Sequence, residues 1–332
     1  MKKGGVILWI GLALALGDPA WAATSVPRTA AKTTKAAPAK SSVAPAAARS
    51  GKPVRKAKAV AKKPKAVVRK PADDDFDPGR LALRSASAYV IDQVSGEVLV
   101  DKNAGAVLPI ASITKLMTAM VVLDAKQDLQ EVISVGQEDV DALKGTRSRL
   151  AVGTTMTRDT AMLLALMSSE NRAANMLGRH YPGGLPAFVA AMNAKARALG
   201  MTHTRFEEPT GLSSNNMSTA RDLAIMVAAA AEYPEIRRDS TTASAEIEVH
   251  GRLQIFNNTN ALVRNEQWAI GVSKTGFISE AGRCLVMQAR VAARPVIIVL
   301  LDSDGKMTRV GDANRIRRWM ESAGLTLADR PA

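Results

Sequence analysis

The sequence predicts an α+β fold, with one antiparallel sheet flanked by helices and an inserted helical region. Short runs rich in β-branched and apolar residues, which are typical of strands, occur near both ends of residues 81–325. Helical patterns fill the stretch between them. Short turns join the strands at either end, so we expect hairpins, with the C-terminal strands completing the sheet that the N-terminal strands begin.

The first predicted elements are a hairpin and a buried helix. Residues 86–92 and 97–101 have strand patterns around a turn that contains Ser95-Gly96. A helix follows from Ile113 to about residue 125. It is apolar on nearly every side, which predicts a position in the middle of the fold.

The later elements are predicted from the same two periodicities. The predicted helices are 158–167, 171–180, 186–199, 219–232 and 312–322, and the predicted strands are 246–249, 253–256, 269–274, 284–292 and 296–302. Thr219 and Asp222 fit a capping box at the start of one helix, which Pro234 is expected to end.

The net charge of +14 belongs to one segment of the chain. Residues 24–71 contain 14 Lys and Arg, no Asp or Glu, and six prolines, whereas residues 72–332 contain 29 basic and 30 acidic residues. A segment of that composition buries little apolar surface, so we expect a disordered, extended linker over residues 23–80. The linker is either a spacer or a contact to anionic polymers of the cell envelope.

The first 22 residues predict an export signal. Lys2 and Lys3 precede an apolar core over residues 6–16, and residues 20–22 (Ala-Trp-Ala) fit a cleavage site. The core is too short to span a bilayer as a retained helix. We therefore expect a periplasmic protein with no nucleic-acid partner. Its parts are a signal peptide (1–22), the basic linker (23–80), a large folded domain (81–325) and a tail (326–332).

Cysteine and histidine give no indication of a metal or cofactor site. The single cysteine, Cys284, begins a strand-like apolar run and is predicted to be a buried thiol rather than a nucleophile. His180, His203 and His250 lack the spacing of metal ligands, so we expect no metal and no cofactor.

A polar pair stands at the start of the apolar helix. Ser112 and Lys115 are three residues apart and share one helix face. A lysine amine can accept a serine proton when burial or a second cation disfavours its own charge, so the pair is a candidate nucleophile and base. The pattern alone is weak, because Ser303 and Lys306 have the same spacing in a segment that predicts a solvated loop.

Two further motifs strengthen that interpretation. Ser169 and Asn171 lie between two predicted helices, and Lys274 opens the only Lys-Thr-Gly tripeptide in the chain, at the end of a predicted strand. Ser-x-Asn is also weak by itself, since residues 213–216 contain two more copies. Together and in this order, however, the three motifs are the signature of active-site serine penicillin-recognising enzymes.

Over about residues 85–323 the sequence resembles the low-molecular-mass penicillin-binding proteins, the serine D-alanyl-D-alanine peptidases. The segments that carry the resemblance are PIASITKLMTAMVVLDA (109–125), LLALMSSENRAAN (163–175), AMNAKARALGM (191–201), EPTGLS (208–213), STARDL (218–223), NNTN (257–260), KTGF (274–277) and CLVM (284–287). The resemblance implies a β-lactamase/transpeptidase-like fold, peptidoglycan stem peptides as substrates and β-lactams as covalent inhibitors. It is greatest to the endopeptidase type of the family, which cuts D-alanyl–diaminopimelate cross-links.

The resemblance also implies catalytic roles for three of these residues. Ser112 would attack the carbonyl of a D-alanyl residue and form an acyl-enzyme. Lys115 would be the general base for that attack, and Ser169 would relay a proton toward the leaving amine. Lys115 and Lys274 would each disfavour the other's charge, which suits a lysine acting as a base.

The substrate-binding roles implied by the resemblance fall on the second and third motifs. Asn171 would hold an amide on the acyl side of the substrate. Lys274 and Thr275 would bind the terminal carboxylate or its equivalent, and Gly276 would leave room for a backbone to approach. The backbone amides of Ser112 and Phe277 would form the oxyanion hole.

Three alternatives stay open at this point. A class A β-lactamase shares the motifs and adds a deacylating glutamate, for which Glu208 is a candidate, although its context EPTGLS matches the peptidase loop. A carboxypeptidase is the second, although the 56 residues after Gly276 (277–332) favour an endopeptidase without a β-rich second domain. The third is an inactive wall-binding scaffold. Arg172, Arg221 and Arg283 are either structural or contacts to peptidoglycan carboxylates.

Overall fold

The computed structural model describes residues 81–328, in which helices pack on both faces of a sheet. The predicted export signal, the basic linker up to residue 80 and residues 329–332 lie outside the described residues. No helix in the described part of the chain is long and apolar enough to cross a membrane.

Five antiparallel strands form the central sheet. They are β1 (Ser85–Asp92), β2 (Val98–Lys102), β9 (Ala269–Ile278), β10 (Gly282–Val291) and β11 (Arg294–Ser303). Their order across the sheet is β2-β1-β11-β10-β9. The first strand therefore pairs with the last, with Val90 opposite Ile298, and this pairing confirms that the C-terminal strands complete the sheet.

The helices lie between the first and last strands, except for the final one. They are α1 (Thr114–Asp124), α2 (Arg158–Met167), α3 (Asn171–Arg179), α4 (Gly184–Ala198), α5 (Ala220–Ala230), α6 (Pro234–Thr241) and α7 (Thr308–Ala328). Three small antiparallel pairs accompany them: β3 (Leu108–Pro109) with β6 (Met217–Ser218), β4 (Val132–Ser134) with β5 (Thr155–Thr157), and β7 (Ser244–Val249) with β8 (Arg252–Asn257).

Several predicted boundaries differ from the structure. Pro234 does not merely end a helix but occupies the first turn of α6, a position that proline suits because its missing N–H needs no partner there. The predicted capping box is half formed. Thr219 accepts from the amide of Asp222, while the Asp222 carboxylate accepts from His203 and Thr204.

The C-terminal elements are longer than predicted. Strand β9 continues to Ile278, so the Lys-Thr-Gly motif lies inside the strand rather than at its end. Helix α7 reaches Ala328 and includes part of the predicted tail. Ser303 is not in a solvated loop; it ends β11, is buried and hydrogen-bonds to Ser85 at 2.7 Å.

The sheet separates two apolar clusters. The larger contains α1, with Leu116 and Met120 fully buried, and the smaller lies between the sheet and α7, around Trp268 and Ile316. Cys284 belongs to the larger cluster, and burial raises the pKa of its thiol to about 11. The prediction that Cys284 is a buried thiol is confirmed.

Candidate active site

All three motifs meet at one cavity of about 460 Å³, beside the edge strand β9. Six of the residues predicted from the sequence line it: Ser112, Ser169, Asn171, Thr275, Gly276 and Phe277. The other two, Lys115 and Lys274, are almost completely buried beside it, with 0% and 1% of their surfaces exposed. The cavity therefore presents hydroxyl and amide groups to a substrate while both amines are shielded from water.

Ser112 lies in a short 3-10 turn that leads into α1. The residue before it, Ala111, has a φ of 46°, a conformation that costs an L-residue energy and is concentrated at functional sites. Two glycines press against this turn. A Cβ on Gly211 would lie 2.0 Å from the Ala111 oxygen, and one on Gly276 would lie 2.9 Å from the Ile110 oxygen. Glycine is thus required where these two backbones approach the Ser112 turn.

The amine of Lys115 has three hydrogen-bond partners. Nζ lies 2.8 Å from Ser112 Oγ, 2.8 Å from Asn171 Oδ1 and 2.5 Å from the carbonyl oxygen of Thr210. A protonated amine donates to all three. A neutral amine keeps two donors and one lone pair, and of these partners only the Ser112 hydroxyl can donate to that lone pair. Loss of a proton from Lys115 therefore directs its lone pair at the proposed nucleophile.

Burial places this loss of a proton near neutral pH. Desolvation lowers the pKa of Lys115 to about 7, while the negative charges of Glu208 and Glu170 partly oppose the shift. The second lysine has a different balance of causes. Burial is again the largest, and the charges of Lys115 and Arg309 further lower the pKa of Lys274 well below its ordinary value. Desolvation is thus the first cause for both amines, and cation repulsion from Lys115 adds to it at Lys274.

Ser169 connects the second motif to the third. Lys274 Nζ donates to Ser169 Oγ at 2.9 Å and to its neighbour's carbonyl, Thr275 O, at 3.0 Å. Ser169 lies between α2 and α3 with a φ of 62°, another non-glycine residue in the left-handed region. Its hydroxyl is therefore held by the local backbone and by the Lys274 amine, and it lies in the wall of the cavity.

Two threonines outside the motifs orient motif side chains. Asn171 accepts from Lys115 through Oδ1 and donates through Nδ2 to Thr146 Oγ1 at 3.1 Å. Thr275 donates through Oγ1 to Thr259 Oγ1 at 2.7 Å. Thr146 and Thr259 also line the cavity.

Glu208 organises the loop that supplies the Thr210 carbonyl. Its carboxylate accepts from the backbone amides of Thr210 and Gly211, both at 2.6 Å, and from Asn216 Nδ2 at 2.9 Å. Both carboxylate oxygens accept hydrogen bonds from this loop, so Glu208 holds the loop backbone in position.

Comparison with known proteins identifies the chain. The sequence profile of the D-alanyl-D-alanine carboxypeptidase family matches residues 74–305. The chain belongs to this family. It is therefore a serine-type D-alanyl-D-alanine peptidase, as the motifs predict.

Individual members of the family confirm this assignment. The chain is 50% identical over 251 residues to the D-alanyl-D-alanine endopeptidase of Pseudomonas aeruginosa, a match covering 75% of this chain and 81% of the relative. It is 47% identical over 242 residues to the D-alanyl-D-alanine endopeptidase of Escherichia coli, covering 72% and 78%. The crystal structure of the Streptomyces K15 DD-transpeptidase matches with a TM-score of 0.67 at 26% identity, covering 74% of this chain and 98% of that chain. The predicted β-lactamase/transpeptidase-like fold is confirmed.

The family motifs do not reveal every residue at this peptidase site. Thr210, Lys144 and Arg309 are absent from the motif-based prediction. Arg309 lines the cavity and donates to the carbonyl oxygen of Gly276 at 3.2 Å. One signal could have found it. A cation in the first turn of a helix is unfavourable to the helix dipole, and α7 has no acidic residue there to balance it.

The three arginines left open by the sequence have different surroundings. Arg172 donates to the carbonyl of Leu150, and Arg221 forms an ion pair with Asp101 at 2.7 Å, so both have structural partners. Arg283 instead lies over the ring of Phe277, with its guanidinium carbon 4.4 Å from the ring centroid.

Proposed function

We propose that this enzyme is an exported D-alanyl-D-alanine endopeptidase that cleaves D-alanyl–diaminopimelate cross-links in peptidoglycan through an acyl-enzyme at Ser112. The observation that carries the mechanism is the buried amine of Lys115, which can receive a proton from Ser112 and is held by two acceptors. The likeness to two endopeptidases at 50% and 47% identity supports the cross-link as substrate.

Acylation begins with neutral Lys115. Ser112 Oγ attacks the carbonyl carbon of the D-alanyl residue, and its proton passes to Lys115 Nζ, 2.8 Å away. The negative charge on the carbonyl oxygen is stabilised by the amides of Ser112 and Phe277, and removing one such donor typically costs about 3–4 kcal/mol of barrier. The close approach of Gly276 to the Ser112 amide supports this pairing of donors.

Collapse of the tetrahedral intermediate breaks the scissile C–N bond. The leaving amine takes a proton from Ser169, and Ser169 regains one from the Lys274 amine bonded to it at 2.9 Å. Lys274 in turn receives the proton that Lys115 took from Ser112, so Lys115 is neutral again. The acyl chain stays on Ser112 as an ester. Water then attacks the ester carbonyl and gives a proton to neutral Lys115. Lys115 passes that proton to Ser112 Oγ, 2.8 Å away, as the ester C–O bond breaks and the D-alanyl carboxylate leaves.

Substrate binding falls on the cations and amides around these groups. Asn171 holds an amide of the acyl chain. Lys274 and Thr275 bind the carboxylate beside the scissile bond, and Arg309 adds a further positive charge to the same wall of the cavity. The carboxylate therefore lies on the leaving-group side, next to β9.

Penicillin labelling tests the nucleophile. A fluorescent penicillin should acylate the wild-type protein at Ser112, and Ser112→Ala should remove the label. Retention of the label in Ser112→Ala would overturn the assignment. Because both oxygens of Glu208 are occupied by the loop, the label should persist rather than be hydrolysed as a β-lactamase would hydrolyse it.

Product analysis tests the substrate. Purified cross-linked dimeric muropeptide should be converted to monomers, and the rate should be compared with release of D-alanine from a pentapeptide monomer. Monomers from the dimer support the endopeptidase. Release of D-alanine with an intact dimer would instead identify a carboxypeptidase, and no product from either substrate would identify an inactive wall-binding scaffold.

The N-terminal segments are assigned supporting roles in this proposal. Residues 1–22 direct export to the periplasm, residues 23–80 form the basic linker, and residues 81–325 form the catalytic domain. The linker, with 14 basic residues and no acidic one over residues 24–71, contacts anionic polymers of the envelope. Deleting residues 24–71 should weaken retention on isolated sacculi at low salt and leave turnover of a soluble muropeptide intact. Equal retention of both forms would reduce the segment to a spacer.

A further inference from the structure

A half-buried arginine outside the motifs lies beside the leaving-group wall of the cavity. Arg283 on β10 is directly opposite Phe277 on β9 in the sheet, so the two side chains emerge on the same face. The ring of Phe277 lines the cavity and is 53% exposed. The guanidinium of Arg283 stacks over this ring. Arg283 is therefore separated from the cavity by this ring alone and does not itself line it.

Arg283 has no acidic partner within the described part of the chain. The carboxylate nearest to it in sequence, Glu280, is bound by Lys144 at 2.5 Å. Arg221, by contrast, pairs with Asp101. A guanidinium held by stacking alone keeps its hydrogen-bond donors free for a carboxylate from outside.

A second arginine reinforces the positive charge at this place. Arg309 bonds the carbonyl of Gly276, next to Phe277, and makes no ion pair with a described residue. Burial lowers the pKa of Arg309, and the charge of Arg283 lowers it further. Two cations are thus held close enough to repel each other without a carboxylate between them, an arrangement that a bound anion would relieve.

The two substrates release different leaving groups, D-alanine from a pentapeptide and a stem peptide from a cross-link. These leaving groups differ in the negative charge that they carry farther from the scissile bond. Terminal D-alanine leaves with a single carboxylate, beside its new amine. The amine side of a cross-link leaves as a whole stem peptide, which carries that carboxylate and further ones, on the γ-linked D-glutamyl residue and at its C-terminus. A cation set beyond the first carboxylate position can therefore distinguish the two leaving groups.

We propose that Arg283, stacked on Phe277, is a specificity-determining residue that binds a second carboxylate of the leaving stem peptide and so favours cross-links over terminal D-alanine. This inference rests on the proposed endopeptidase function. The first carboxylate stays with Lys274, Thr275 and Arg309, while Arg283 takes the next one along the leaving peptide.

The test is the ratio of kcat/KM for a cross-linked dimer to kcat/KM for a pentapeptide monomer. For Arg283→Gln in the mature full chain we expect this ratio to fall about five- to tenfold, mainly through KM for the dimer, as for loss of a charge-assisted contact at a partly exposed site. Arg283→Lys keeps the charge and should recover part of the ratio. The matched control is Arg290→Gln, an exposed arginine at the far end of β10 opposite Ala269, which should leave the ratio unchanged.

Two modified dimers identify the carboxylate. One carries an amide in place of the D-glutamyl α-carboxylate of the leaving stem, and the other an amide at the C-terminus of that stem. On the dimer whose amide replaces the carboxylate that Arg283 binds, wild type and Arg283→Gln should cleave at the same rate. If both amidated dimers preserve the difference, or if Arg283→Gln slows the dimer and the pentapeptide equally, the inference is wrong.

These outcomes separate the inference from the function on which it rests. A wild-type protein that releases D-alanine and leaves the dimer intact refutes the endopeptidase function, and the inference with it. A wild-type protein that cleaves the dimer with the same ratio as Arg283→Gln refutes the inference alone.

Discussion

Acylation of Ser112 should follow the protonation of Lys115 between pH 5 and pH 8. The amine is completely buried, and desolvation lowers its pKa to about 7. Only the neutral amine can accept the serine proton, because the protonated amine has no lone pair. A pKa of about 7 leaves about 1% of the amine neutral at pH 5, about half at pH 7 and about 90% at pH 8.

The second-order rate constant for labelling by a fluorescent penicillin is the quantity to measure. It should rise about 50- to 100-fold from pH 5 to pH 8 and then level off, in proportion to the neutral fraction. Lys115→Arg gives the matched comparison. Its guanidinium stays charged, so labelling should be slower by a factor of at least about 100 and independent of pH in this range.

Two results would refute the reasoning. A rate constant that stays level from pH 5 to pH 8 would show that the neutral Lys115 amine is not the base. A rate constant that keeps rising through pH 10 would show that burial does not lower the pKa of Lys115. Thermal unfolding measured at each pH separates these results from acid unfolding of the protein.

Three further predictions concern stability and reactivity. The pKa of Lys115 falls from 10.5 to about 7 on folding. The buried amine therefore lowers the free energy of unfolding by up to about 5 kcal/mol at pH 7 and below, and this cost disappears as the pH rises from 7 through 10.5. Lys115→Met should raise the denaturation midpoint at pH 6–7 and abolish labelling. Gly211→Ala would bring a Cβ within 2.0 Å of the Ala111 oxygen at a φ of 83°. It should lower the free energy of unfolding by more than about 2 kcal/mol in chemical denaturation and slow labelling at least about tenfold. The control is Gly200→Ala, at a φ of 79° with open space around it, which should lower the free energy of unfolding by only about 1 kcal/mol. Cys284, with its pKa raised to about 11, should resist iodoacetamide at pH 8 by mass spectrometry until the protein is unfolded, and alkylation of the native protein would contradict its burial.

The sequence predicts the regular elements well where the periodicity is long and local. The predicted helix 158–167 has the bounds of α2 in the structure. The eight-residue α6 was not predicted, because Pro234 indicates both the end of one helix and the start of another. The pairs β3–β6 and β4–β5 have only two or three residues in each strand, too few for a pattern to develop.

The candidate site was predictable to the extent that its groups lie in short motifs. Ser112 and Lys115 stand out because they are polar residues at the start of an apolar helical sequence, and Ser169 stands out because its motif takes its place in the ordered set of three. The Thr210 carbonyl and the Arg309 guanidinium reach the same site from 95 residues and 33 residues away from their partners. Contacts of that kind depend on tertiary packing, and a backbone carbonyl leaves no trace in residue type.

The site contains several backbone conformations and buried charges that are unfavourable by themselves. This explains why its residues occur in short motifs of fixed residue type. Ala111 and Ser169 have positive φ angles, each costing about 1–3 kcal/mol. Lys115 and Lys274 are buried amines. Surrounding structure must impose such states, and Gly211, Gly276 and the Glu208 loop do so here by closing on the Ser112 turn. A side chain at Gly211 or Gly276 would push the Ser112 turn away, and an exposed lysine at position 115 would keep its proton. The proposed reaction therefore restricts the residue types at these positions more than the fold does. The same reasoning makes Arg283 informative. It stacks on the ring of Phe277 and pairs with no acidic side chain of the described residues, so an ion pair within the fold does not explain why a cation stands at this position.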